Sequence, residues 1–125
     1  MSKEKIILIS VIVVVVLTVG AVVFQNNTPG QYDNFAICLK DKGVTFFGAF
    51  WCPHCQAQKK LFGNSAKKLP YMECSTPDGK SQTQICKDEN IKSYPTWRFA
   101  DKSEETGEVS LEKLSEKSGC ELPKE

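Results

Sequence analysis

The sequence predicts an α/β domain, a central mixed sheet flanked by helices, preceded by one N-terminal transmembrane helix. Three observations lead there. Ile6 to Phe24 is an unbroken uncharged run, IILISVIVVVVLTVGAVVF. Beyond it, short apolar runs of strand length alternate with segments of helical spacing, which implies parallel pairing, and two adjacent strand candidates late in the chain imply an antiparallel portion. Between the first strand candidate and the helix after it stands WCPHC, residues 51–55. At 125 residues the chain holds one domain rather than two.

The apolar run spans roughly 28 Å at 1.5 Å per residue, about the thickness of a bilayer's hydrocarbon core. It shows no polar face, so it reads as an uncleaved membrane anchor over 6–24. The rival is a cleaved signal peptide, whose apolar region is usually about 7–15 residues long and ends in a small-x-small site. Only Val19-Gly20-Ala21 resembles such a site. Lys3 and Lys5 precede the run, and the positive-inside rule keeps residues 1–5 in the cytoplasm, although Glu4 offsets one of these charges. The expected localisation is single-pass in a membrane, with the domain extracytoplasmic. QNNTPG, residues 25–30, reads as a polar tether. The domain follows over 31–120, with a tail at 121–125.

Of 16 Lys and Arg and 15 Asp and Glu, Lys3, Lys5 and Glu4 lie before the run, so the domain's charge is balanced. It carries one Arg, Arg98, and no basic block, which speaks against nucleic-acid binding. All 6 Cys lie beyond the apolar run. An even count on an oxidising side favours disulfides, with about fifteen possible pairings.

Along the domain, QYDNFAICLK (31–40) has apolar residues at helical spacing and Gly43 ends it. VTFFGAFW (44–51) is a continuous apolar run, as in a strand buried on both faces. Pro53 suits the first turn of a helix that continues over 55–69, with a kink at Gly63-Asn64. PYMEC (70–74) is a short strand, and Pro77-Asp78-Gly79 is a turn. A short helix over 82–90 and a loop over 91–95 lead to TWRFA (96–100), an alternating strand. An edge strand fits within 104–109, and Ser110 caps a last helix over 110–117.

The chemistry concentrates at Cys52 and Cys55. Cys52 follows a buried strand and opens a helix, where unpaired N–H groups and a partial positive charge stabilise a thiolate. The thiolate is the attacking species in disulfide exchange. Cys55, one turn further in, is the resolving thiol. His54 supplies a second donor or charge near Cys52. Stabilising the thiolate stabilises the reduced form, which makes the disulfide a stronger oxidant. The metal alternative takes Cys52, Cys55, Cys74 and Cys86 as a zinc set, but the second pair lacks the short spacing of zinc knuckles, and no metal or other cofactor is expected. A purely structural Cys52–Cys55 staple would constrain the unfolded chain little.

These segments resemble the thioredoxin fold, and more closely the thioredoxin-like domain fused to bacterial homologues of vitamin K epoxide reductase. The resemblance rests on FFGAFWCPHCQAQKKLFG, YMECS, QTQICK, IKSYPTW and the closing KSGC, and covers about Gln31 to Cys120. It implies that Cys52 and Cys55 are the redox pair and that Pro95 is a cis-proline facing them. It also implies that backbone groups at Tyr94 pair with an extended substrate, as in β-augmentation. The plainer alternative is that Pro95 only starts a strand. The sequence departs from many thioredoxins in one respect: the position six residues before Cys52, where they carry a buried carboxylate, is Phe46. Any proton transfer at Cys55 must then use water or another group.

Cys74 and Cys86 are expected to pair as a structural disulfide, with a second redox pair as the alternative. Cys38 and Cys120 remain, and by elimination pair to tie the ends of the domain together. Trp51 and Pro53, with Tyr94 and Pro95, form the expected substrate-binding surface, although Trp51 also suits packing beneath the site. Phe46, Phe47, Phe50, Trp97 and Phe99 are assigned to the core. Lys59-Lys60 and Lys67-Lys68 read as a solvated helix face. The expected function is thiol–disulfide exchange with extracytoplasmic proteins, as a disulfide donor. The resemblance implies re-oxidation by a quinone-linked membrane oxidoreductase of the vitamin K epoxide type. The rivals are a tethered reductase and a non-catalytic binding or metal-carrying module.

Overall fold

The computed structural model describes residues 1–124. Helix α1, Lys3–Asn27, has no buried residue and is long and apolar enough to cross a membrane. It runs past Phe24, so the first part of the expected tether is helical. The rest is docked rather than free. A Cβ on Gly30 would lie 2.1 Å from Ser65 Oγ and 2.4 Å from the Ser65 nitrogen, a closeness only glycine permits. The Tyr32 N–H donates to Ser65 Oγ at 2.9 Å, and the Lys67 ammonium donates to the Asn26 carbonyl. Lys67 is therefore not simply solvated.

Helix α2 (Asp33–Asp41) buries Phe35, Ala36 and Leu39 at the predicted spacing. Strand β1 (Thr45–Gly48) is shorter than its apolar run. Helix α3 (Pro53–Leu61) gives way to a 3-10 turn at Gly63–Lys68, so the single helix expected to Leu69 breaks at the predicted kink. Strand β2 (Tyr71–Glu73), helix α4 (Gln84–Asp88), strand β3 (Thr96–Arg98), strand β4 (Glu104–Thr106) and helix α5 (Leu111–Ser118) complete the fold. Ser110 Oγ accepts the Lys113 N–H at 3.2 Å. Gly119, at φ 75°, closes α5 in the left-handed conformation that glycine adopts without steric cost. Residues 121–124 form no helix or strand, and Glu125 of the expected tail lies outside the described residues.

The sheet order is β2-β1-β3-β4. β1 runs parallel to β2 and antiparallel to β3, and β3 runs antiparallel to β4, the mixed arrangement read from the sequence. Alternation along β1 builds two cores. Phe46 faces α2, α3 and α5 and stacks on Trp97 at 4.5 Å; Phe35, Phe62, Leu39 and Leu114 fill the same cluster. Phe47 faces the other way, with Cys74, Cys86 and Ile91. Buried Gln58 exchanges two hydrogen bonds with the Val109 backbone, at 2.9 and 2.7 Å, and so fixes α3 against the approach to α5.

Two disulfides close the domain. Cys74–Cys86 joins the end of β2 to α4, and Cys38–Cys120 joins α2 to the residue after the α5 cap, 82 positions away. Both ends of the second bridge border the Phe46 cluster, so α2 and α5 share one face of the sheet. The core assignment fails at Phe50, which is 49 % exposed. β1 stops at Gly48, and Phe50 falls in the turn beyond it.

Candidate active site

After β1 the chain turns through Ala49, Phe50 and Trp51 and delivers Cys52 as the N-cap of α3. Its backbone is extended (φ −77°, ψ 116°), and Pro53 takes the first helical turn, where a missing N–H costs nothing. The Cys52 sulfur accepts the Cys55 N–H at 3.2 Å. A thiolate formed there gains a charge-assisted hydrogen bond and the positive end of the helix. On its other side the Cys52 thiol reaches the Tyr94 carbonyl at 3.8 Å. Cys52 and Cys55 are the two free cysteines. With Cys74 and Cys86 bonded to each other, the four-cysteine zinc set does not form, and among the described residues no three metal-ligating side chains gather.

Cys55 lies deeper than Cys52, at 1 % against 5 % exposure. Burial pushes its thiol up to about 12, the hydrogen bond and charge of Cys52 add to this, and the Ala49 backbone and Lys59 work against it. The two thiols therefore differ in kind: one is served by a helix terminus, the other sits in apolar surroundings.

Trp51, Tyr94 and Pro95 come together with Cys52. The Tyr94–Pro95 peptide bond is cis. Trp51 is half-exposed, meets Tyr94 edge to face at 6.1 Å and donates its indole N–H to Ser75 Oγ at 2.9 Å. A cavity of about 170 Å³ lies beside it, lined by Trp51, Ser75, Gly79, Gln82 and Tyr94. Gly79, in the predicted turn, has φ 71°. The Gln82 amide donates to the Tyr94 hydroxyl at 2.8 Å, which fixes that ring. Pro53 is exposed at the start of α3. His54 turns outward: its side chain is 72 % exposed, with Nδ1 2.8 Å from Glu108 Oε1.

Four residues of this neighbourhood escaped the sequence reading. Glu108 is one. The others form a chain beside Cys55. Lys59, assigned to a solvated face, is half-buried, with its Nζ 3.4 Å from the centroid of the Tyr71 ring. The Tyr71 hydroxyl donates to Glu73 Oε2 at 2.8 Å. Glu73 Oε1 accepts the N–H groups of Ser75 at 2.9 Å and Phe50 at 3.2 Å, which ties β2 to the turn carrying Trp51 and Cys52. One signal was available in sequence: Lys59 follows Cys55 by four residues, a neighbour on the same helix face.

Comparison with known proteins agrees with this geometry. The family model described as Thioredoxin matches residues 24–118. The chain is 45 % identical over 89 residues to the thiol-disulfide oxidoreductase LTO1 of Arabidopsis thaliana, an alignment covering 67 % of this chain and 23 % of that protein. The chain thus spans about a quarter of that relative's length. With a parallel β1–β2 pair, an antiparallel β1–β3–β4 portion and a family match over most of its length, the chain belongs to the thioredoxin family.

Proposed function

We propose that the chain is a membrane-anchored, extracytoplasmic thiol–disulfide oxidoreductase that donates the Cys52–Cys55 disulfide to substrate proteins. A substrate thiolate attacks the Cys52 sulfur, and the Cys52–Cys55 bond breaks with its electron pair going to Cys55. A second substrate thiolate then attacks the substrate sulfur of the mixed disulfide and releases Cys52 as a thiolate. The substrate leaves with a disulfide, and the pair is left as a dithiol. Re-oxidation removes two electrons and two protons, for which a quinone-linked membrane oxidoreductase of the vitamin K epoxide type is the proposed acceptor.

The observation that carries this reading is the placement of the two free cysteines. Cys52 caps a helix within reach of the Tyr94 carbonyl, while the other four cysteines are locked in pairs. Helix N-termini favour thiolate over thiol, and a stabilised thiolate favours the oxidant direction. The apolar α1, exposed along its whole length, supports the anchor. The relative's description as a thiol-disulfide oxidoreductase supports the reaction class. His54 tunes Cys52 in this scheme, and Trp51, Pro53, Tyr94 and Pro95 receive the substrate.

The test is the reduction potential of the full chain in detergent, titrated with glutathione buffers, with the Cys52–Cys55 disulfide identified by mass spectrometry. A value of about −120 to −180 mV, the range of disulfide donors and isomerases, is expected. A value near about −270 mV reverses the arrow and makes the protein a reductase. No reversible transition overturns both. A Cys55→Ser variant should accumulate mixed disulfides through Cys52 with secreted proteins and with the membrane oxidoreductase.

A further inference from the structure

In the proposed exchange the first step loads negative charge on Cys55, yet the site is built against that charge. Cys55 is buried, and the segment from Val44 to Cys55 contains no ionisable side chain other than Cys52 and the outward-turned His54. Phe46 is given over to stacking on Trp97. The groups that face Cys55 come from three elements. From α3 come Cys52 and, one turn beyond Cys55, Lys59. From β2 comes Tyr71, with Glu73 behind it on the phenol hydroxyl. From β1 comes Gly48, whose missing side chain lets the others close in: a Cβ there would lie 2.9 Å from Tyr71 Cε2 and 3.1 Å from the Cys55 sulfur.

These contacts fix an otherwise mobile ammonium. A lysine on an exposed helix face sweeps a wide volume on its four-carbon stem. Here Nζ sits 3.4 Å from the centre of the Tyr71 ring, an attractive cation–π position. The ring is held by its hydroxyl's 2.8 Å bond to Glu73 Oε2. Burial and then the Glu73 carboxylate push the Tyr71 phenol up, so the ring stays neutral and offers its face to the cation. Glu73 is fixed in turn by the Phe50 and Ser75 N–H groups.

We propose that Lys59, held over Tyr71 by the Tyr71–Glu73 bond, is a positioning residue that supplies the counter-charge for the Cys55 thiolate. When a substrate thiolate bonds to Cys52, the electron pair of the broken disulfide arrives on Cys55 beside the Lys59 ammonium. Lys59 keeps its proton throughout. The proton that later neutralises Cys55 comes from solvent, and in the reverse direction returns there. The proposal rests on Cys52–Cys55 being the exchanging pair, but its test reads Cys55 alone.

The test uses the full chain in detergent with Cys52→Ser, which leaves Cys55 as the single free thiol, and follows iodoacetamide alkylation across alkaline pH. Lys59→Gln should slow Cys55 alkylation about threefold to tenfold at each pH, a shift of the profile by up to about one pH unit. Lys59→Arg should restore most of the rate, and Glu73→Gln should fall between. An unchanged profile in Lys59→Gln overturns the proposal, as does a Lys59→Arg variant as slow as Lys59→Gln. With both cysteines present, Lys59→Gln should slow glutathione attack on the Cys52–Cys55 disulfide by a similar factor. Should the parent disulfide fail to exchange with glutathione at all, the proposed function falls while the alkylation series still decides the role of Lys59.

Discussion

The backbone N–H of Cys55 donates to the sulfur of Cys52 across 3.2 Å. The deeper cysteine thus supplies a hydrogen bond to the shallower one, and its own sulfur is left in apolar surroundings. In the proposed exchange this asymmetry suits attack at Cys52 and leaves Cys55 as the group whose charge must be managed from outside the motif.

One consequence is a pH dependence that differs between redox states. The Cys55 thiol moves from 9.0 to about 12 in the folded, reduced protein. A raised value means that the native state holds a proton the unfolded chain releases. The associated stability is whole below pH 9.0 and is lost as pH rises toward about 12. Chemical denaturation of the reduced form should therefore weaken relative to the oxidised form across that window. Tyr71 is also raised, first by burial and then by Glu73, causes common to both states, so the comparison removes most of its effect. Parallel pH profiles for the two forms would contradict the assignment.

Gly48→Ala should strain the site without any change of charge. The added methyl would meet Tyr71 Cε2 at 2.9 Å and the Cys55 sulfur at 3.1 Å. Overpacking of this kind costs about 1–3 kcal/mol, readable as a lower urea midpoint. Slower glutathione exchange should accompany it, because both displaced groups belong to the Cys55 environment. A loss below about 0.5 kcal/mol would mean that Tyr71 swings aside freely.

His54→Ala separates tuning from stability. The side chain is 72 % exposed and its partner Glu108 is 45 % exposed, so the pair adds little to folding, within about 0.5 kcal/mol. Removing the imidazole takes a donor or charge from the neighbourhood of Cys52. The glutathione equilibrium should move toward the protein disulfide by about threefold to tenfold, making it a weaker oxidant. An unchanged equilibrium would leave His54 as a surface residue held by Glu108.

The two cystines should differ in weight. Replacing Cys74 and Cys86 by Ala opens a loop with a separation of 12, and replacing Cys38 and Cys120 opens one of 82. In the chain-entropy model the first loss is about 3 kcal/mol, and the second is larger by about 1–2 kcal/mol. Denaturant midpoints measure the order. Continued exchange at Cys52 in the Cys74/Cys86 double variant would separate a structural bridge from an electron relay.

The sequence made the local parts of this molecule legible and left its cross-chain parts dark. Cys52, Pro53 and Cys55 announce a helix start, and Ser110 announces the start of α5, because N-terminal caps are encoded within a few residues. The end of β1 was not legible: VTFFGAFW is apolar throughout, so its pattern cannot mark where the strand stops, and Phe50 was carried into the core by continuity. Lys59 was misread for a related reason. Beside Lys60 it reads as charge on a helix, and only the arrival of Tyr71 from β2 turns it inward. Glu73 acquires its partners through the β1–β2 pairing, which no local pattern specifies.

The Cys38–Cys120 bridge also sets how the domain bears force. A pull between α1 and the C-terminal end enters α2, crosses from Cys38 to Cys120 through the bridge, and leaves by the residues after it. The covalent path bypasses residues 39–119, and with them the whole sheet, α3 and both free thiols. The domain hangs as a closed loop beside the load-bearing line, so tension on the chain ends reaches a covalent bond before it reaches the hydrogen bonds that shape the site.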